Sequence, residues 1–459
     1  GPVAAFGVAA NAKAHLCATL ARTRQVLFVT ATDVAAAQLH ESCRLFGVRA
    51  ELFLPRETPL VYVHAASGEN RSARISALSA LLDGEPCVVS ASAASLMQVL
   101  APKGAFANSQ IALAVGDTLS PRALVEKLVS AGYERVEMVE GRGQCAARGD
   151  LVDVFAPGEE YPVRIEFFGD EIDQMRTFDA VSQRSVEQVQ SVLIRPALET
   201  PQPRELTQKA IQRIAGRTGL TDQEDAWSEG IASVGGDVLL PLLYKKTDTL
   251  LDYLHADAIL IVDEALLIDE ALRTEQMRFA EGVKAMLERD EGVAEQGALE
   301  RSANETLERL HTTRTALFYA LSRTHPQFSP REIVSLESRG APQFMGAFDE
   351  IAREIKLLNE HGEKTVIYAG EQTEELLHNL ADYDATATAA SELPAELPAG
   401  QTLILPGQLA RGFSYPQLKL NIFTEYEVTG RTERAVKRTK AKKHLSFSEL
   451  SVGDYIVHE

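Results

Sequence analysis

The sequence predicts an α/β protein: a parallel-sheet domain carrying an inserted small α+β domain, followed by a second, smaller α/β domain. Three observations predict it. Short β-branched runs alternate with Ala/Leu-rich helical patterns over the first hundred residues. Near Ser120-Pro121 that rhythm gives way to closely spaced alternating runs, Asp150 to Phe155 and Tyr161 to Phe168. A strand and helix rhythm returns between Lys364 and Thr424. With 459 residues, 45% apolar and 24% charged, the chain has room for about two to four domains, each able to bury a core without staples. The composition excludes disorder and collagen-like repeats.

In chain order, Gln25 to Thr32 (QVLFVTAT) reads as a buried strand. Asp33 then caps a helix that runs to Phe46, and Pro86 to Ser92 is a further strand. Ser120 before Pro121 caps a short helix that opens the insert, which is expected to close near Pro196. Asp257 to Asp263 (DAILIVD) is a continuous apolar strand returning to the first sheet and ending in Asp263 and Glu264. From Glu264 to Glu308, 12 acids stand against 5 bases in a helical composition, which predicts a solvated helix face. Lys364 to Ala369, Gln401 to Leu405 and Leu418 to Thr424 read as strands, Glu371 to Leu380 as a helix, and Thr386 to Gly400 as a surface loop.

The expected divisions are 1–118 with 197–290 for the parallel-sheet domain, 119–196 for the insert, 291–330 for a helical segment and 331–430 for the second α/β domain. A basic linker, 431–446, and the start of an unfinished β unit, 447–459, follow. The chain opens on Gly1-Pro2 without methionine and stops at Val457-His458-Glu459 inside an apparent strand. Both ends are therefore expected to be cut, from a longer polypeptide.

Lys and Arg number 46 against 65 Asp and Glu, a formal charge of -19, so most of the surface repels a polyanion. Arg431 to Lys443 departs from this with seven basic residues and one acid, Glu433. It reads as a solvated tether, with a contact to nucleic acid or an acidic partner as the alternative. Cys17, Cys43, Cys87 and Cys145 lie far apart with no C-x-x-C pair, which points to reduced, buried thiols in a cytoplasmic protein rather than zinc or disulfides. No apolar run reaches membrane-spanning length, and no signal peptide is evident.

A phosphate-binding loop needs G-x-x-x-x-G-K-[ST], in which backbone amides wrap the phosphates, lysine supplies charge and a hydroxyl holds magnesium. Gly7-Val-Ala-Ala-Asn-Ala12-Lys13-Ala14 stands in that place with half of the set. Ala12 adds a Cβ where the backbone should close on phosphate, and Ala14 removes the metal-ligand hydroxyl. Asp263-Glu264 sits where a metal-binding and water-activating acid pair belongs, and is expected to be a remnant. Gly7, Lys13, Asp263 and Glu264 are thus a vestigial nucleotide site, not expected to bind. The ten histidines are scattered and none has metal-ligand spacing, so no catalytic residue, metal or cofactor is assigned.

The insert offers a different site. Strand alternation sends Val163, Ile165 and Phe167 to one face and Arg164, Glu166 and Phe168 to the other. The first set suits a core; arginine, glutamate and an aromatic side by side suit an interface or an ordinary charged sheet face. Arg148 leads into the adjacent strand and extends the patch.

These segments carry a resemblance. Gly132-Tyr-Glu-Arg-Val-Glu-Met-Val-Glu140, Ala147-Arg-Gly-Asp-Leu-Val-Asp-Val-Phe155 and Pro162-Val-Arg-Ile-Glu-Phe-Phe-Gly-Asp-Glu-Ile-Asp173 closely resemble domain 2, shared by the repair protein UvrB and the transcription-repair coupling factors (Mfd). Phe178-Asp-Ala-Val-Ser-Gln-Arg-Ser185 continues the match, and Leu251-Asp-Tyr-Leu with the Asp263-Glu264 strand resembles the later UvrB-like module. The degraded phosphate loop favours the coupling factors over UvrB. So do Ala265-Leu266, where UvrB has Ser-His, and the absence of a tyrosine-rich DNA-clamping hairpin near Pro59 to Arg74. Ala410 to Glu425, the basic run and Phe447 to His458 resemble the passage through domain 3 into the RNA-polymerase-interacting domain.

The resemblance implies a degenerate RecA-like (P-loop NTPase-like) domain 1a in 1–118 and 197–290, a UvrA-binding domain 2 in 119–196, part of domain 1b in 291–330 and domain 3 in 331–430. It places the UvrA contact at Arg148, Arg164 and Phe168, a surface masked in the intact family and open in this piece. It implies an adaptor without catalysis of its own, recruiting UvrA of nucleotide excision repair to RNA polymerase stalled at damage. RNA polymerase and duplex DNA would be engaged through other parts of a parent ATP-dependent DNA translocase. The alternatives are a divergent UvrB-like ATP-dependent repair helicase subunit acting through Gly7, Lys13, Asp263 and Glu264, and a DNA-binding module using Arg431 to Lys443.

Overall fold

A computed structural model of the chain describes residues 1–56, 68–200, 207–212, 237–289, 292–312, 314–321, 325–394, 396–407, 409 and 411–430. The basic linker 431–446 and the β unit from 447 lie outside the described residues, as does most of the stretch compared with the UvrB hairpin.

The chain begins with β1 (Val3–Phe6), β2 (Gln25–Thr30), β3 (Ala50–Phe53) and β4 (Cys87–Ser92). β2 and β4 are buried along their whole length, as uninterrupted apolar strands covered on both faces must be. Between β2 and β3 runs the helix Asp33–Leu45, and its cap is Thr32 rather than Asp33. Thr32 Oγ1 accepts a hydrogen bond from the Ala35 amide at 3.3 Å. Asp33 instead lies in the first turn, where its carboxylate meets the positive end of the helix dipole.

The insert begins ahead of the expected residue 119, with β5 (Ile111–Ala114), whose Leu113 joins its core, and continues through β6 (Glu134–Arg135), β7 (Gln144–Arg148), β8 (Leu151–Phe155), β9 (Val163–Phe168), β10 (Glu171–Phe178), β11 (Ser185–Val189) and β12 (Ser191–Ile194). β11-β10-β9-β8-β7-β6 form one sheet, antiparallel except for the last pair. β5 and β12 pair antiparallel where the chain enters and leaves. The helix Pro121–Ser130 is capped by Ser120, whose Oγ accepts from the Ala123 amide at 3.2 Å. Leu124, Val125 and Leu128 of this helix share a core with Cys145, Val152, Val154, Ile165 and Phe167 on one face of the sheet.

β13 (Ile259–Asp263), β14 (Thr315–Tyr319) and β15 (Glu332–Ser335) return to the first sheet, whose order is β15-β1-β14-β13-β2-β4-β3 with every pair parallel. This is a RecA-like parallel sheet. Two strands differ from the expectation. The segment 291–330, read as helical, contributes β14 between β1 and β13; its five residues are too few to show a period. β15, read as the start of the second α/β domain, pairs with β1, and its four exposed residues give no apolar signal because it is an edge strand. Alternate residues of the sheet feed two cores: Leu27, Val29, Val262 and Leu317 on one side, Val26, Phe28, Ile261 and Phe318 on the other.

Two buried polar groups mark this unit. Glu199, just beyond the insert, is held by Arg74 through Nε–Oε1 at 2.5 Å and Nη2–Oε2 at 2.8 Å, with Arg56 Nη2 at 3.4 Å. Burial would push the Glu199 carboxyl up, but the two arginines outweigh it and hold it below the usual range. At Glu300 the balance reverses: burial, with the neighbouring Glu275 carboxylate adding to it, outweighs the charges of Arg278 and Arg56 and pushes it up to about 8.

The last strands are β16 (Arg339–Gly340), β17 (Lys364–Tyr368), β18 (Thr388–Ala389), β19 (Gln401–Leu405), β20 (Phe413–Tyr415) and β21 (Leu420–Thr424). A second compact unit holds the described residues of 341–412 and 418–430. In it β21-β17-β19-β18 form a parallel sheet. The helix Phe348–Glu360 lays Ile351, Ile355 and Leu358 onto Ile367, Ile404 and Phe423. The expected helix from Glu371 begins as a 3-10 turn and becomes Thr373–Asp382, and the expected loop 386–400 contains β18.

Candidate functional site

The loop after β1 reaches the helix Lys13–Leu20 as a phosphate loop would, yet several of its polar groups are taken by the chain itself. The Val8 amide donates to the Tyr319 carbonyl at 3.2 Å, the Ala9 amide to Ser338 Oγ at 2.7 Å, and the Ala12 amide to the Ala9 carbonyl at 2.9 Å. Ser338 Oγ donates in turn to the Gly7 carbonyl at 2.8 Å. Gly7 has φ +74, and a Cβ there would stand 2.8 Å from the Leu336 carbonyl oxygen. The glycine is therefore explained by the packing of Leu336 to Ser338 without invoking phosphate. Lys13, only 8% exposed, donates from Nζ to Asp263 Oδ1 at 2.5 Å. Burial pushes the Asp263 carboxyl above its ordinary range even with Lys13 beside it. Glu264 takes a left-handed backbone, φ +54, and Oε1 accepts from the Ala320 amide at 2.7 Å. The structure brings Gly7, Lys13, Asp263 and Glu264 to one end of the sheet and satisfies them internally.

The second constellation lies on the insert. Val163, Ile165 and Phe167 enter the core, while Arg164 and Glu166 are half-buried and Phe168 is 83% exposed. Register places Asp153 opposite Arg164 and Leu151 opposite both Glu166 and Arg148, so Arg148 shares their face. Arg164 bonds Asp153 through Nε–Oδ1 at 2.7 Å and Nη2–Oδ2 at 2.9 Å, and Arg148 Nη2 reaches the same Oδ2 at 3.2 Å. The Arg164 guanidinium also lies 4.5 Å above the Phe178 ring. The hydrogen bonds that Arg164 donates to Asp153, with that carboxylate's charge, raise the Arg164 pKa. Glu166 is engaged by Arg176 Nη2 at 2.5 Å and Gln174 Nε2 at 2.8 Å. What remains open is the Arg148 head and the Phe168 ring. A planar cation and a bare aromatic ring on one face can take a partner carboxylate and bury an apolar anchor.

Sequence reasoning passed over Asp153 and Gln183, which orient the arginines, and Ser338, which closes the loop. Alternation along Leu151 to Phe155 carries the signal for Asp153, since it shares a face with Arg164. Ser338 lies 331 residues from Gly7, and nothing local announces it. All four cysteines are buried and free; burial pushes Cys43 up to about 12, as expected of packing thiols. Among the described residues no cluster of three metal-ligating side chains exists and no helix is long and apolar enough to cross a membrane.

Comparison with known proteins bears on the insert first: residues 111–199 match the family described as the UvrB interaction domain. The transcription-repair-coupling factor of Bacillus subtilis is 30% identical over 98% of this chain and 40% of its own length. That of Mycobacterium bovis is 30% identical over 98% of this chain and 39% of its own. That of Staphylococcus epidermidis is 26% identical over 84% of this chain and 35% of its own. The chain is homologous to the transcription-repair-coupling factors. It spans about two fifths of the length of these relatives. Within this coupling-factor homologue, Arg148, Arg164 and Phe168 all fall in the segment that matches the UvrB interaction domain, whereas the self-satisfied loop lies outside it.

Proposed function

We propose that this chain is the N-terminal adaptor region of a transcription-repair coupling factor, and that the face of its insert bearing Arg148, Arg164 and Phe168 binds UvrA. In this reading it recruits UvrA of nucleotide excision repair to RNA polymerase stalled at DNA damage. The carrying observation is the Phe168 ring, 83% exposed, on the same sheet face as the half-exposed Arg148 guanidinium, the opposite side of that sheet being a closed core. An aromatic side chain left in water on a rigid strand forgoes roughly 1.5 to 3 kcal/mol of burial, which a partner can recover. RNA polymerase and duplex DNA are engaged through other parts of the parent ATP-dependent translocase, in the cytoplasm where these partners work. The residues of this chain perform no catalysis and need no cofactor. The loop geometry favours this over an ATP-dependent helicase subunit, because the amides of Val8 and Ala9 and the Lys13 ammonium already have protein partners.

The test is a titration against UvrA with Arg148→Glu and Arg164→Glu variants of verified fold. Binding by the wild type that both variants lose is the expected result. Equal binding by all three removes the insert face from the account.

A further inference from the structure

Asp153 is the group on the insert face with the most to arrange. It is 3% exposed, and its two oxygens accept three hydrogen bonds from two different guanidinium groups. The two arginines are held unequally. Arg164, whose side chain is 15% exposed, is fixed by both Asp153 oxygens, by the Phe178 ring and by Gln183 Oε1, which accepts from Nη2 at 3.2 Å. Gln183 has a left-handed backbone, φ +57, and its Nε2 donates to the Ala180 carbonyl at 2.8 Å. An arginine enclosed on these sides has little left to offer a partner. Arg148, whose side chain is 53% exposed, makes a single hydrogen bond to Asp153 out of five donors.

Charge accounting points the same way. Asp153 faces two cations, and Glu166 is already engaged by Arg176. Arg148, Arg164 and Arg176 thus outnumber Asp153 and Glu166 by one positive charge on the surface of an acidic chain. We infer that Asp153 is a positioning residue for this surface: it locks Arg164 as an inward strut and aims Arg148 at a carboxylate of the partner, on the face that also carries the Phe168 anchor. The inference rests on the reading of this face as the UvrA contact. A long cation tethered at one nitrogen loses less rotamer freedom on docking than a free one, so the tether raises affinity without touching the partner.

The experiment is UvrA binding by the whole chain carrying Asp153→Asn, in the wild-type, Arg148→Ala and Phe168→Ala backgrounds. Asparagine keeps the size and one acceptor for Arg164 and removes the charge that two guanidinium groups share. Asp153→Asn should weaken binding about tenfold in the wild type and in the Phe168→Ala background, and less than about twofold once Arg148 is gone. A purely structural role gives the same loss in all three backgrounds, and that result overturns the inference. Unchanged affinity in the wild-type background overturns it as well. The underlying reading fails separately, if the wild-type chain does not bind UvrA or if neither Arg148→Ala nor Phe168→Ala weakens binding.

Discussion

Replacing Asp263 by alanine separates a structural lysine from a nucleotide-binding one. In the folded chain Lys13 is 8% exposed and its ammonium is 2.5 Å from Asp263 Oδ1. Burial, with the Glu264 charge adding to it, drives the Asp263 carboxyl up despite that neighbour. Removing one member of the pair strands the other. Breaking such a pair costs about 3 to 5 kcal/mol when fully buried. The Asp263 side chain keeps 16% of its surface in contact with solvent, which places the expected loss near the lower end, about 3 kcal/mol. The joint replacement Lys13→Met with Asp263→Leu should return most of this, because an apolar pair of similar volume carries no charge to desolvate. Urea unfolding followed by circular dichroism reads all three proteins, with a millimolar Mg-ATP titration of the wild type alongside. An Asp263→Ala variant as stable as the wild type refutes the reasoning, and so does stabilisation of the wild type by Mg-ATP.

Three further outcomes are expected. Glu300→Gln should gain stability over the wild type as pH rises from about 5 to 8. The folded state holds a proton up to about pH 8 that the unfolded chain releases near 4.5, so the wild type's contribution from Glu300 is fully present below 4.5 and lost through 8. At about 1.4 kcal/mol per pKa unit the gain approaches roughly 5 kcal/mol, an upper limit because Glu275 shares the proton balance; parallel stability curves would count against it. Glu199→Ala strands Arg74 in the core and should cost about 3 to 5 kcal/mol, read as a lower urea midpoint; a surface-like effect under about 0.5 kcal/mol would be the wrong answer. Deleting 431–443 should leave affinity for duplex DNA unchanged if the run is a tether, whereas binding that falls steeply with salt and vanishes on deletion would make it a DNA contact.

The sequence was most legible where a signal is local. The Gln25 to Thr30 and Ile259 to Asp263 strands are unbroken apolar runs, Ser120-Pro121 names its own helix start, and alternation from Val163 to Phe168 divides core from surface residue by residue. It failed where the decisive partner is remote or the element is short. β14 offers five residues and β15 four exposed ones, so pairing across the sheet, not composition, makes them strands. The Asp33 cap was displaced by one residue because threonine and aspartate are both good caps, and the chain used the one in extended backbone. The degraded loop was visible as missing residue types, but its closure by Ser338 depends on a contact 331 residues away. On the insert, the arginines and the phenylalanine stood out by type, whereas Asp153 looked like one acid among many until the register set it between them.

The most direct test of the central claim is hydrogen exchange on the whole chain, with and without UvrA. The account predicts slowed exchange in β7, β8 and β9, around Arg148, Asp153 and Phe168, with the loop after β1 unchanged. UvrA-dependent protection confined to the loop after β1 or to the second unit, with these strands exchanging as before, would contradict it.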